Sequence, residues 1–211
     1  MLPWIRGRVP FLSEIRGFLA PEEGEALYLW GKFCAGLGHP CLEIGSYCGL
    51  SSIYLGLATL DCGSVLFSID HHRGSEEHQP GEEFHDPDLY DHRERRMDSF
   101  PELQRNLYRA GLLDSVVPIV SHSGTVARKW ATPLSLVFID GGHSREAVFN
   151  DYVGFAPHVI PGGILAIHDV YFDPGEGGQA PREIREAALA SGLFQKEGMI
   201  DSLALLRRIS I

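Results

Sequence analysis

From Cys41 onward, short apolar runs alternate with longer stretches of helical periodicity. The runs are CLEIGS, SVLFSID, VVPIV, LSLVFID and GILAIHD, starting at Cys41, Ser64, Val116, Leu134 and Gly163. They are rich in Val, Ile, Leu and Phe without strict alternation, which is the pattern of strands covered on both faces. The spacing between them predicts helices near 51–60, 100–111, 124–130, 145–156 and 181–191. Pro181 suits a first helical turn. This alternation predicts an α/β domain with a parallel sheet. The last two runs differ. GLFQKEGMID and SLALLRRIS are separated only by the corner Asp201-Ser202, so they must pair antiparallel, because a parallel pair needs a long crossover.

Two segments stand outside this rhythm. Residues 1–38 read as a mostly helical cap over the sheet or the substrate. Residues 70–100 form a long polar stretch, and connections of that length in a compact domain are lids, binding loops or disordered. With no repeat and no low-complexity linker, the 211 residues are expected to form one domain.

Composition narrows the field. A net charge of −10 argues against a nucleic-acid partner, which needs a basic footprint. No apolar run is long enough to span a bilayer, so no membrane partner is expected. The first twenty residues carry scattered charges and no continuous apolar stretch, and they read as mature protein, not a signal peptide. Four cysteines without a CxxC pair fit a reduced, cytoplasmic protein better than a disulfide scaffold.

The glycine loop comes first among the candidate sites. The first apolar run ends CLEIGSYCGLSS, placing Gly45 and Gly49 just beyond a strand. In an open parallel sheet, ligands bind outside the carboxyl ends of the strands, and glycine lets the backbone approach a ligand closely. The spacing is GxxxG. It is not the GxGxxG of dinucleotide-binding loops, which weakens a nicotinamide reading. The second strand ends at Asp70, where a carboxylate can accept from two ribose hydroxyls; a helix cap is its alternative role. Glu43 is placed to face the amino group of a methionine-like tail, or is a strand-edge charge.

Together these stretches resemble the class I S-adenosylmethionine-dependent methyltransferases, and among them the bacterial group called methyltransferase domain family 24. The matching segments are LEIGSYCGLSS, IDHHRGSEEHQPGEEF, FIDGGHSREAVFNDY and PGGILAIHD, covering roughly Pro40 to Val170. The resemblance implies a Rossmann-like seven-stranded methyltransferase sheet, mostly parallel, with a C-terminal antiparallel hairpin and helices on both faces. It implies S-adenosylmethionine as cofactor, lying across Gly45, Ser46, Tyr47, Gly49 and Ser51. Asp70 and the neighbouring His71 would face the ribose, Ser123 of the segment SHSG would lie near the adenine, and Glu43 and Asp140 would stand close by.

A second cluster follows from strand order. Asp140 ends one run, His143 lies just beyond it, and His168-Asp169 ends the next. Adjacent parallel strands bring Asp140, His168 and Asp169 to the rim that carries Gly45, where they are candidate ligands for a divalent cation. Carboxylates suit Mg²⁺, Mn²⁺ or Ca²⁺, while imidazole shifts preference toward Mn²⁺, Fe²⁺ or Zn²⁺. Metal-dependent O-methyltransferases of this fold are similar but have an acidic or amide residue where this chain has His168. His143 is the candidate base for an acceptor hydroxyl, with His168 as alternate. Asp140 as a helix cap, His168 as a satisfied strand-end histidine and His143 as a helix-start polar residue are the structural alternatives.

His71, His72, His78, His85 and His92 crowd the polar segment, but their spacing fits no ligand pattern. Most read as a solvated loop, with His71 and His72 at the cofactor rim. Tyr171 and Phe172 are candidates to line an acceptor pocket. The expected function is O-methylation of a small hydroxylated molecule with divalent-metal help. The competing readings are a hydroxylase-like metal enzyme on the same fold and a non-catalytic cofactor-binding protein. A homodimer through the apolar N-terminal segment is the expected assembly.

Overall fold

The computed structural model describes residues 3–82, 85–142 and 144–209. Seven strands share one sheet: β1 (Cys41–Ile44), β2 (Leu66–Asp70), β3 (Val116–Val120), β4 (Leu134–Ile139), β5 (Val159–Ile167), β6 (Phe194–Ile200) and β7 (Leu203–Arg208). Their spatial order is β3-β2-β1-β4-β5-β7-β6. The first five are mutually parallel, and β7 lies antiparallel between β5 and β6. The parallel sheet and the terminal hairpin follow the sequence pattern. Strand order reverses between β1 and β4, where Cys41 pairs with both Leu66 and Leu136. In doubly wound sheets that reversal opens the ligand crevice.

Side chains alternate across the sheet with a period of two. Leu136, Phe138, Ile164, Ala166, Leu203 and Leu205 enter one core cluster. Val137, Ile139, Leu165, Ile167, Ala204 and Leu206 enter the other. The helices are α1 (Pro3–Arg8), α2 (Pro21–Ala35), α3 (Leu50–Asp61), α4 (Phe100–Ala110), α5 (Ser123–Ala127), α6 (Arg145–Phe155) and α7 (Ala180–Ala190). Leu27 of α2, Leu55 of α3 and Leu103 of α4 join the first cluster. Val148 and Phe155 of α6 and Ile184 of α7 join the second. Both faces of the sheet are thus covered, which is why its strands read as continuous apolar runs. No helix among the described residues is long and apolar enough to cross a membrane.

Two departures from the sequence pattern bear on the site. The helix expected near 124–130 is the short α5. Beyond it Trp130 turns inward, its ring edge-on to Phe67 and Phe155, and its Nε1 donates to the carbonyl of Thr132. The polar segment 70–100 carries local order: 3-10 turns at Glu76–His78 and Pro87–Leu89, and a two-residue antiparallel ladder pairing Tyr90–Asp91 with Arg96–Met97. Leu89 and Met97 are buried beneath it, which gives an otherwise hydrophilic stretch an apolar anchor.

Candidate active site

The carboxyl ends of β2, β1, β4 and β5 meet on one rim. β1 ends at Ile44 and the chain turns sharply at Gly45, whose φ is +88°. Tyr47 is also left-handed, at φ 47°, and Gly49 opens α3 as its N-cap at φ 96°. The loop is held from behind by Asn106 of α4, whose Nδ2 donates to the Cys48 carbonyl at 2.9 Å. It is held from the side by Asp70. Oδ2 of Asp70 accepts from the amides of Ser46 (3.0 Å) and Tyr47 (2.9 Å), and Oδ1 accepts from the amide of His72 (2.7 Å). A carboxylate offers about four acceptor positions. Asp70 therefore fixes the glycine loop and keeps acceptor capacity for a ligand.

Glu43 occupies a different place from the one its sequence position suggested. It has no exposed surface. Its oxygens accept from the hydroxyls of Ser51 (3.0 Å) and Ser52, so it sits beneath the loop and not on its open face. Burial pushes its carboxyl up to about 7 against these hydrogen bonds. His71 lies half-buried with its ring 4.5 Å from that of His122, and burial lowers its pKa. His72 turns inward instead. It is buried, and its Nδ1 lies 2.8 Å from Ser99 Oγ.

Across the crevice, β4 ends one residue before Asp140 and β5 one residue before His168. His168 Nδ1 is 3.0 Å from Asp140 Oδ1 and 3.3 Å from Asp169 Oδ2. Tyr171 donates its hydroxyl to Asp169 Oδ1 at 3.1 Å. Each of Asp140, His168 and Asp169 offers one ligand atom, and these atoms lie within 4.8 Å of one another. The side chains of both aspartates are 23% exposed and that of His168 only 3%, so the carboxylates front the opening and the imidazole backs it.

His168, the alternate base of the sequence reading, is enclosed by acids. Its other nitrogen, Nε2, lies 2.9 Å from Glu23 Oε2, so carboxylates hold both sides of the ring. Burial alone would lower its pKa, but the charge of Asp140 and hydrogen bonds to Asp140, Asp169 and Glu23 raise it well above the usual range. A raised value favours a hydrogen-bond donor over a base at this position. His143, the first candidate base, lies outside the described residues.

A model of the methyltransferase domain family matches residues 42–170, well over half of the chain. The chain belongs to this methyltransferase family. By family and fold it is a class I S-adenosylmethionine-dependent methyltransferase. Mycinamicin VI 2''-O-methyltransferase of Micromonospora griseorubida is 36% identical over 81 residues, a stretch that covers 37% of this chain and 19% of that protein. The solved O-methyltransferase NovP superposes with a TM-score of 0.67 at 15% identity, covering 90% of this chain and 80% of its own. TomG of Streptomyces achromogenes, solved with S-adenosylmethionine, gives 0.64 at 14% identity over 100% and 91%.

Two buried acids near the rim of the methyltransferase escaped the sequence reading. Asp151 of α6 is 3% exposed. It accepts from Ser123 Oγ at 2.5 Å, and burial pushes its carboxyl up to about 6. Glu23 of α2 is 2% exposed and reaches His168. Both acids sit among the buried residues of a helix, Asp151 between Val148 and Phe155 and Glu23 one turn before Leu27. An acid amid apolar helical positions was the available signal.

The N-terminal strap closes over this rim. Arg16 Nε is 2.9 Å from Asp86 Oδ2, and its Nη2 is 2.8 Å from Asp88 Oδ2. The Tyr47 ring lies 5.9 Å from that of Phe18 and 5.3 Å from that of His78. Partly exposed ion pairs contribute about 1 kcal/mol or less. Arg16→Ala should therefore barely move the urea midpoint, yet speed limited proteolysis within 71–98 several-fold, because local opening is separable from global unfolding. Unchanged cleavage kinetics would show that the strap does not restrain the segment.

Proposed function

We propose that this methyltransferase moves the methyl group of S-adenosylmethionine to a hydroxyl oxygen of a small molecule. The observation that carries the reading is one rim bearing both parts: the Gly45–Gly49 loop clamped by Asp70, and the Asp140–His168–Asp169 cluster. The mycinamicin relative, by its name an O-methyltransferase, supports oxygen as the acceptor.

The chemistry needs the acceptor oxygen held in line with the sulfonium methyl, so positioning is a large share of the catalysis. The O–CH3 bond forms as the S–CH3 bond breaks. The sulfonium becomes a neutral thioether, and the hydroxyl proton leaves to a base. Asp70 and the loop hold the cofactor, with His71 and Ser123 beside it. Asp140 and Asp169 face the acceptor, and Tyr171 orients Asp169. Phe172, half exposed, supplies an apolar wall. His143 is retained as the proton acceptor, three residues beyond Asp140.

The rim cluster fits a divalent cation. Asp140, His168 and Asp169 would hold it. A ligating imidazole usually gives its second nitrogen to a carboxylate, and here Glu23 takes that position on Nε2. Bound there, the ion would supply Lewis acidity that lowers the pKa of an acceptor hydroxyl.

Calorimetry with S-adenosylhomocysteine tests the cofactor assignment. Asp70→Ala removes three amide hydrogen bonds to a charged acceptor and should weaken binding about 100-fold. No binding to the unaltered protein would sink the reading. Equal binding by Asp70→Ala would place the cofactor elsewhere. Repeating the titration with Mn²⁺ on metal-stripped protein, with Asp140→Asn as control, tests the cation. Binding heats shared by both proteins would remove the cation from this cluster.

A further inference from the structure

Glu23 lies in the N-terminal segment, 145 positions from His168, yet its carboxylate closes the far side of the rim cluster. Three of its acceptor positions are filled, and the fourth faces His168. Oε2 accepts from the Ala20 amide (3.0 Å) and faces His168 Nε2 (2.9 Å). Oε1 accepts from the amide (3.0 Å) and the hydroxyl (2.8 Å) of Ser202, at the β6–β7 corner. Two of these donors are backbone amides, which can only donate. Three donors aimed at one carboxylate favour its ionised form, which accepts from a protonated Nε2 of His168.

A helix cap alone does not explain this position. Glutamate at the third residue of a helix commonly bonds the amide of the N-cap residue, and Glu23 does so through Ala20. Such caps normally face water. Burying a carboxylate is costly unless it is paired and hydrogen-bonded, and the pairing here leads to the active site.

We propose that Glu23 is a positioning residue of the active site: it holds the Nε2 proton of His168 and thereby commits Nδ1 to Asp140 and Asp169. Without it the ring is free to turn over and present either nitrogen to the rim. With it, Nδ1 always faces the two carboxylates, as a hydrogen-bond donor or, with its proton gone, as a ligand atom. That this matters for methyl transfer rests on the function proposed above. The hold on the ring does not.

The test is the ring spectrum of His168 in metal-free protein labelled with ¹⁵N-histidine, its signals assigned by their loss in His168→Gln. The Nε2 resonance of the unaltered protein is expected at the position of a protonated, hydrogen-bonded nitrogen. In Glu23→Gln it should shift and broaden as the ring exchanges, while affinity for S-adenosylhomocysteine stays within about twofold, since Glu23 does not touch the glycine loop. A merely structural Glu23 would lower the melting temperature and leave the ring signals in place, which would overturn the proposal. If Glu23→Gln fails to fold, Ser202→Ala decides. It removes one of the four donors, and an Nε2 resonance identical to that of the unaltered protein would equally overturn the idea. Absence of S-adenosylhomocysteine binding in the unaltered protein would sink the methyltransferase reading and leave this resonance test standing.

Discussion

Gly45→Ala is expected to abolish measurable binding of S-adenosylhomocysteine and to destabilise the fold by more than about 4 kcal/mol, a loss that single substitutions rarely reach. The left-handed backbone at φ +88° alone costs an alanine about 1–2 kcal/mol. The larger effect is collision. A Cβ on Gly45 would lie 1.9 Å from the carbonyl oxygen of Asp140 and 2.6 Å from its carbon. Those are backbone atoms of the neighbouring strand end and cannot swing aside as a side chain would. Relief requires parting β1 from β4, where Ile44 pairs with Ile139 and the Asp140 amide donates to the Ile44 carbonyl at 2.9 Å. That movement separates the loop from the Asp140–His168–Asp169 cluster. Urea unfolding and calorimetry on the variant would check both effects. Affinity within tenfold of the unaltered protein would mean that the two strand ends do not form one cofactor cradle.

The second large effect is on pH dependence. Stability is expected to fall as pH rises from about 4.5 to about 7, because Glu43 holds its proton in the folded state and loses it in the unfolded chain. Its carboxyl is pushed from 4.5 to about 7. A raised folded-state value means that the native protein binds the extra proton across that window. The stabilisation is full below 4.5 and is lost as pH climbs to 7. At about 1.4 kcal/mol per unit the swing is on the order of 3 kcal/mol. Asp151, pushed up to about 6, acts with the same sign in the lower part of the window. Glu43→Gln should flatten most of the slope and be the more stable protein at pH 8. Denaturation midpoints at pH 5 and pH 8 for both proteins decide. Parallel pH curves would show that Glu43 is not the group responsible.

Much of this architecture was legible in the chain because the information is local. Runs such as LSLVFID declare strands covered on both faces. The bare corner at Asp201-Ser202 dictates an antiparallel hairpin. Strand-end positions bring Gly45, Asp70, Asp140 and Asp169 to one rim without knowledge of any contact. What stayed hidden depends on partners distant in sequence. Glu23 reads as an ordinary helix-start acid until His168 and Ser202 arrive against it. The place of Asp151 between Val148 and Phe155 hints at burial, but its partner Ser123 is out of sight in the sequence. Glu43 looked like a ligand contact because its position in the strand says nothing of Ser51 and Ser52 rotating down to cover it. His168 looked like a base because a sequence shows one titratable ring and not the three acids around it. The segment 70–100 looked structureless because Arg16, which pins Asp86 and Asp88, lies outside it.

The Glu23 contacts also tie distant parts of the chain together. The glycine loop, α3 and β2 come from one continuous stretch. Glu23 lies near the start of the chain, but its partners are at positions 168 and 202. Contacts this non-local are slow to close. Closing the rim therefore draws on both ends of the chain, since α2 supplies Glu23 and the β6–β7 corner supplies Ser202.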